Sequence, residues 1–444
     1  MSAREDDPAR APQPQGGWST RLRPVPGALV VPPSVPDMVQ PMGIFDAGGG
    51  YVHEGVLWRG RRLMVEPEIR PEPVADLPGR WIWGGVLLNH FGHFLVESTP
   101  RLWALDAVEG PVDGILFTVK RETIEEAGAL KLQPFQRLFF DLLGIDVPIR
   151  ILAQPTRVER LEVPGQGFGL GPIAAGTAPF RAFFATRFAR NIAPQGAEKL
   201  YISRSALGAA RGGVLGEDRI EAALSAAGYE IFHPQKHSLE SQIAHYKAAR
   251  QVVALDGSAL HMVAMVGRRD QQVAMIRRRV SDVSDSIVTH LTAFTGRAPQ
   301  VIDVIEQDWV RSDRKRADRH SVGQLDLPAL GRALVAGGFL PEGAEIPAMT
   351  EAEIHAAVHV FEDALSGKLH FEPLARGARR DVPEAGAVLR RRKDRPKDGP
   401  KDGPGAEPGK EGKLKGEERR AARMARRAER TERRERRAAA RPEG

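Results

Sequence analysis

The segment NHFGHFLVESTPR gathers Asn89, His90, His93, Glu97 and Arg101. On a helix, His90, His93, Glu97 and Arg101 fall at steps of three and four and share one face. A carboxylate within reach of an imidazole raises its basicity, so this group suits a general base with a charged orienting partner. The same spacing also describes an exposed stripe of ordinary i,i+4 pairs. A zinc site is a third reading, against which stand the absence of HExxH and of a fourth ligand.

A second group follows the apolar run KLYI. Ser203, Arg204 and Ser205 stand where a strand ends, and in an open α/β sheet ligands bind beyond the carboxyl ends of strands. A cation with two hydroxyls there suits a phosphate; an arginine covering a strand edge is the plainer alternative. A third group, Asp256, Gly257, Ser258, Ala259, Leu260 and His261, is a strand-to-helix turn whose small residues let backbone N–H groups approach a pyrophosphate or ribose. Such a turn can also be purely structural. It is not GxGxxG, and no acidic residue follows in the position that would hold a nicotinamide-nucleotide ribose. The body of the chain also has no GxxxxGK[ST], no GxSxG and no DxD. Without paired carboxylates to hold a divalent ion, a departing diphosphate must be neutralised by arginine, lysine or a helix dipole.

Those residues need elements to hold them. Trp81–Trp83 lead through two glycines into the His90 segment, whose apolar Phe91, Phe94, Leu95, Leu102 and Leu105 recur at helical spacing, with Pro100 expected to kink or cap the helix. GILFTV then reads as a buried strand, PFQRLFFDLLGI as helix, and PIRIL and RLEVP as extended. Further on the alternation is clearer: strands KLYISR, YEIFH, QVVALDG and QVAMI alternate with helices EDRIEAALSAAG, SLESQIAHYKAA and SALHMVAMVG, and a helix near DSIVTHLTAFTG precedes QVIDVI. Strands joined by helical crossovers give a parallel sheet covered on both sides. The expected fold class is therefore α/β with two Rossmann-like halves. The expected divisions are a proline-rich extended arm over 1–40, a first α/β domain with a small β-hairpin region over 41–188, a nucleotide-binding domain over 189–310, a helical extension over 311–374 and a disordered basic tail over 375–444.

Bulk properties narrow the class. A chain of 444 residues has material for two or three domains. It has no cysteine, which removes disulfides, thiolate metal sites and cysteine nucleophiles and fits a reducing compartment. The first residues have no signal-peptide core, and no window approaches the ~20 apolar residues of a membrane span, so a soluble cytoplasmic protein is expected. The formal net charge is +7, but residues 375–444 carry about +11 and the body about −4. Nucleic-acid or membrane-surface binding through the tail is thus the competing, non-enzymatic reading. The tail lacks interleaved aromatics for base stacking, which argues against specific nucleic-acid reading, and large apolar residues to insert, which weighs against a membrane anchor; peripheral contact with an anionic inner leaflet stays open, and a solvated tail that maintains solubility is the preferred reading.

Taken in order, these segments resemble glycosyltransferase family 61, which includes bacterial capsular-polysaccharide transferases. The resemblance covers roughly 44–305. One block, NHFGHFLVESTPRLWALD, is similar to the family's Asn-aromatic-x-His-aromatic-x-x-Glu-x-x-Pro-Arg segment. The other runs from LYISR through SLESQIAHYKAARQVVALDGSALHMVAMVG, similar to its strand-Arg, Ser-x-x-x-Gln and Gly-(Ala/Ser)-x-Leu-x-Asn series; His261 stands where the pattern has Asn, and Glu217 is a candidate for a glutamate that follows the Arg block. The resemblance implies an inverting, metal-independent transferase of GT-B architecture acting in surface polysaccharide synthesis. It implies no cofactor beyond a nucleotide-sugar donor, expected to be UDP-linked, and a glycan or lipid-linked acceptor. It makes His93 and Glu97 the candidate base and its orienting partner, in either order, and His93 is preferred as the base. Arg204, Gly257 and Ser258 become candidates for the nucleotide diphosphate, and Asn89, His90, Arg101 and His261 for further substrate contacts.

Overall fold

In a computed structural model of the chain, residues 7–125, 130–281, 283–365 and 369–379 are described. The chain divides into two units, Met1–Val382 and Pro383–Gly444, and every described residue belongs to the first. The expectation for the basic tail falls almost wholly outside the described residues.

Strand β1 (Leu22–Val31) leads through β2 (Gln40–Pro41) to β3 (Gly43–Phe45), and β4 (Met64–Val65) pairs with β2 in a small parallel ladder. With β5 (Ala75–Val86), β6 (Gly114–Thr118), β7 (Ile149–Leu152) and β8 (Thr156–Pro164), the first large sheet has the order β3-β1-β8-β5-β6-β7. Strands β5 to β8 run parallel to one another, whereas β1 is antiparallel to both β8 and β3. The proline-rich start of the chain is therefore not an arm. Pro24 and Pro26 lie opposite Glu162 and Arg160 of β8, while β3 covers only Leu29, Val30 and Val31 on the other side. The prolines sit where β1 is an edge, and there a missing N–H breaks no ladder. Val25, Ala28 and Val30 are buried and fix the strand in the core.

The helices of this lobe start with a short turn, α1 (Phe91–His93), which passes directly into a π-helical turn at Phe94–Ser98 and later a 3-10 turn at Leu102–Asp106. Helices α2 (Arg121–Glu125), α3 (Pro134–Leu142) and α4 (Ala178–Arg187) follow. The last two begin as their sequences dictate: Gln133 and Gln136 form a capping box ahead of Pro134, and the Thr177 hydroxyl accepts the Phe180 N–H.

The second lobe alternates strand and helix: β9 (Lys199–Ile202), the short β10 (Gly213–Val214), α5 (Glu217–Ala226), β11 (Glu230–Phe232), α6 (Leu239–Ala248), β12 (Gln251–Leu255), α7 (Ser258–Val266), β13 (Gln272–Ile276), α8 (Val283–Thr295) and β14 (Gln300–Ile302). Its five strands are all parallel, in the order β11-β9-β12-β13-β14. Helix α5, with Ile220 and Leu224, packs on one face, whereas α6, α7 and α8 bring Ile243, Leu260 and Leu291 to the other. The direction of winding reverses between β9 and β12, which makes the carboxyl ends of those two strands the topological switch point.

The stretch read as a helical extension is mixed. Strands β15 (Ile305–Arg311), β16 (Val322–Leu325) and β17 (Phe371–Ala375) join β10 in a third sheet, and α9 (Leu327–Ala336) and α10 (Glu351–Ala364) are the helical parts. VGQL and FEPLA are too short for a period-two pattern, and their pairing is set by tertiary context. One buried apolar core runs from Phe94, Phe139 and Phe184 of the first lobe into Leu260, Val263 and Leu291 of the second, so the two large sheets share it. Among the described residues, no helix is long and apolar enough to cross a membrane.

Candidate functional site

At the switch point, the turns after β9 and β12 touch. A Cβ on Gly257 would lie 2.9 Å from Arg204 Nη1, so the absence of a side chain at 257 is what lets the guanidinium lie there. Arg204 is held at both ends: its backbone N–H donates to Glu217 Oε1 (2.7 Å) and its Nη2 donates to the Arg211 carbonyl (3.0 Å). The next strand supplies two more guanidinium groups. Arg278 and Arg279 follow β13 and are buried; Arg278 Nε lies 2.8 Å from Asp256 Oδ1. Ser284 donates to the other Asp256 oxygen at 2.5 Å. Arg204 Nε, Arg278 Nη1 and Arg279 Nε are all buried with no hydrogen-bond partner. Burial and the neighbouring Arg278 charge lower both Arg204 and Arg279 to about 10, which still leaves them cationic at neutral pH. A buried, unpartnered N–H on a charged group costs free energy until an acceptor arrives, so these donors are chemically suited to an anion.

The first lobe supplies a second cluster. Glu97 has a fully buried side chain and takes Arg59 in bidentate fashion, Nε to Oε1 at 2.5 Å and Nη2 to Oε2 at 2.6 Å. His93 Nδ1 lies 2.8 Å from Glu97 Oε2 and 3.3 Å from Arg59 Nη2. The shorter, charge-assisted contact makes Nδ1 the donor, which leaves the Nε2 lone pair free. Burial pushes the Glu97 carboxyl up, but the hydrogen bonds from His93 and Arg59 outweigh it and hold the group below the ordinary carboxylate range. Glu97 is thus ionised with its oxygens occupied, and His93 is the member with a free base.

The two clusters meet where α1 packs on α7. A Cβ on Gly92 would collide with the Ser258 hydroxyl. The His90 and His93 rings stand 5.0 Å apart between centroids. Burial first, then the neighbouring His93 ring and the guanidinium charges of Arg319, Arg211 and Arg59, lowers His90 to about 4. One turn along α7 from Ser258, buried His261 contacts His290 of α8, Nδ1 to Nδ1 at 2.7 Å, and His290 Nε2 lies 2.9 Å from the Gly169 carbonyl. Because a carbonyl only accepts, His290 carries its proton on Nε2, His261 donates from Nδ1, and the His261 Nε2 lone pair is left over. Burial, then the nearby His290 and His93, hold His261 well below its ordinary value, and burial lowers His290 to about 4. Both rings are neutral at physiological pH.

The structure therefore brings His90, His93, Glu97, Arg204, Gly257, Ser258 and His261 into one region. Asn89 is exposed in the bend before α1. Arg101 is elsewhere: it is buried in the first lobe, donating to the carbonyls of Pro164 and Val56, and burial lowers it to about 9. An ideal helix would have carried it to the His93 face; the π turn and the irregular residues after Ser98 rotate it away. The motif residue Gln242 donates to the Pro234 and His237 carbonyls and so fastens the loop after β11. Arg59, Arg278, Arg279 and His290 were not singled out from the sequence. Arg278 and Arg279 follow a strand just as Arg204 does, so the strand-end rule would have found them. Arg59 and His290 reach the site only through tertiary packing. Among the described residues, no three His, Cys, Asp or Glu are grouped to hold a metal ion.

Residues 91–273 match the family model for Glycosyltransferase 61. The match supports the family resemblance over a narrower span than 44–305. It includes His93, Glu97, Arg204, Gly257, Ser258 and His261, and it excludes Asn89, His90, Arg278 and Arg279. A glycosyltransferase 61 assignment carries glycosyl transfer, and so a donor and an acceptor, as the suggested activity. No curated protein matches the chain.

Proposed function

We propose that the protein is an inverting glycosyltransferase that moves a sugar from a nucleoside-diphosphate donor, UDP-linked in our reading, to a hydroxyl of a glycan or lipid-linked acceptor in surface-polysaccharide synthesis. What carries the reading is the set of buried, unpartnered arginine donors of Arg204, Arg278 and Arg279 at the switch point, across the α1–α7 contact from His93 and Glu97.

The donor diphosphate lies against the three arginines and the amino end of α7, in a GT-B-like division with the acceptor on the first-lobe side. As the acceptor oxygen attacks the anomeric carbon from the face opposite the diphosphate, its proton passes to His93 Nε2. The bond from the anomeric carbon to the diphosphate oxygen breaks, and the electron pair leaves with the nucleoside diphosphate, whose charge the arginines take up without requiring a divalent ion. Glu97 holds the Nδ1 proton and stabilises the imidazolium that results. The reaction takes place in the cytoplasm, with the tail as a peripheral contact to the inner membrane face.

The test is transfer or donor hydrolysis by His93→Ala and Arg204→Ala. Each should lose activity, His93→Ala by about 10²–10⁴-fold, with unchanged circular dichroism. Full activity in both with a competent donor would overturn the assignment.

A further inference from the structure

The Ser-x-x-x-Gln block, Ser238 to Gln242, has no part in the proposed reaction; it holds a loop. The Ser238 hydroxyl accepts the Ser241 N–H at 3.2 Å and caps α6. Gln242 Nε2 donates to the carbonyls of Pro234 at 2.8 Å and His237 at 3.2 Å. The His237 ring lies nearly flat on buried Phe232, with centroids 4.3 Å apart and planes inclined by 20°. Within the loop, the Lys236 N–H donates to the His233 carbonyl at 2.9 Å and the His237 N–H to the Pro234 carbonyl at 3.1 Å. A loop fastened at both ends presents its side chains in one geometry.

That loop leaves the sheet beside Arg204. Strands β11 and β9 are parallel neighbours with Phe232 opposite Ile202, and the Ser203 N–H donates to the Phe232 carbonyl at 2.8 Å. His233 and the Ser203–Arg204 turn therefore follow adjacent strand ends, one strand spacing of ~4.8 Å apart. The polar side chains of the turn are engaged within the protein: the hydroxyls of Ser203 and Ser205 both donate to Glu221 Oε1, at 2.5 and 2.7 Å. His233 Nδ1, by contrast, is buried with no hydrogen-bond partner among the described residues. A buried ring nitrogen without a partner calls for a ligand group that supplies one.

The direction in which a donor must lie points to the same loop. In the proposed reaction the sugar faces His93 at the contact of Gly92 with Ser258, and the nucleoside extends from the diphosphate along the line of strand ends. Beyond β13 that line is covered. A Cβ on Gly323 of β16 would collide with the Arg278 carbonyl, the Val280 N–H donates to Asp308 Oδ2 of β15 at 3.3 Å, and Arg279 Nη1 donates to the Asp318 carbonyl at 3.3 Å. On the other side of Arg204, the next strand end is that of β11. Resting on the proposed transferase reading, we infer that the nucleobase of the donor lies over the carboxyl end of β11 and that His233 reads its edge, with Nδ1 in a hydrogen bond to a ring nitrogen or carbonyl oxygen of the base. The ribose spans the step from β9 to β11, and Gln242 is the positioning residue that keeps His233 in place.

The experiment is calorimetry on the full chain with UDP and with inorganic diphosphate. Wild type should bind UDP more tightly than diphosphate. His233→Ala should weaken UDP about tenfold and change diphosphate affinity less than about twofold, and Gln242→Ala should shift the ratio in the same direction. In wild type followed by NMR, the His233 imidazole signals should move on addition of UDP and stay in place on addition of diphosphate. An equal loss of UDP and diphosphate affinity in His233→Ala, an unchanged UDP affinity, or a His233 signal that responds equally to both ligands would overturn the base assignment alone. So would a wild type that binds diphosphate and gains nothing from the uridine. Failure of both UDP and diphosphate to bind the wild-type chain would overturn the transferase reading and this proposal with it.

Discussion

In the proposed reaction Glu97 is the side chain that holds the base in place. Its carboxylate is buried, ionised and shared between Arg59 and His93. Glu97→Gln keeps the shape but gives His93 Nδ1 an amide donor, so the imidazole shifts its proton to Nε2 and loses the free lone pair. Transfer by this variant should fall by about 10²–10⁴-fold with donor affinity retained; steady-state kinetics within about threefold of wild type would remove Glu97 and His93 from the reaction as described. At this scale much was legible. His93 and Glu97 meet as their four-residue spacing demands, and Arg204 reaches Gly257 because both follow neighbouring parallel strands. Arg101 shows the limit: its step of four from Glu97 places it on the same face only if the helix stays regular, and it does not. Arg59 stands 38 residues from Glu97, and no local pattern announces such a pairing.

Among the elements, α8 reaches the first lobe through His290, whose Nε2 donates to the Gly169 carbonyl while its Nδ1 accepts from His261 of α7. His290 is lowered from 6.5 to about 4 by burial, so the unfolded chain takes up a proton below about 6.5 that the folded chain refuses until about 4. Stability is therefore full above pH 6.5 and is lost as pH falls toward 4, on the order of 2 kcal/mol from this residue at pH 5. The thermal midpoint should drop between pH 7.5 and 5, and His290→Asn, though less stable at the start, should lose less over that interval. An equal or steeper drop in the variant would contradict the buried neutral pair. The βα alternation of this half was readable because each strand is a short apolar run between turn residues, and α6 also has its own cap in Ser238. The first lobe was harder. Its sheet is mixed, and β1 contains two prolines that its edge position alone makes harmless.

For the molecule as a whole, the shared core from Phe94 to Leu291 means that the candidate site is positioned by packing between the lobes, which composition cannot disclose. Charge asymmetry was readable, and it assigns the surplus basic residues to the last portion of the chain. A membrane-contact test must respect β17: Phe371–Ala375 pairs with β15, so a cut at 375 would strip a strand end, and the proper deletion is 383–444. If the tail draws the protein to the inner leaflet, the full chain should float with vesicles containing anionic lipid and the deletion should not, with the difference shrinking as salt rises. Equal flotation of both would dismiss the tail as an anchor.

If the guanidinium groups at the switch point receive a nucleoside diphosphate, UDP affinity by calorimetry in wild type, Arg204→Ala and Arg278→Ala measures it directly. Each substitution removes charge-assisted hydrogen bonds of about 1.5–3 kcal/mol, so affinity should fall roughly 10- to 100-fold in both. Wild-type binding that neither substitution weakens would contradict the account.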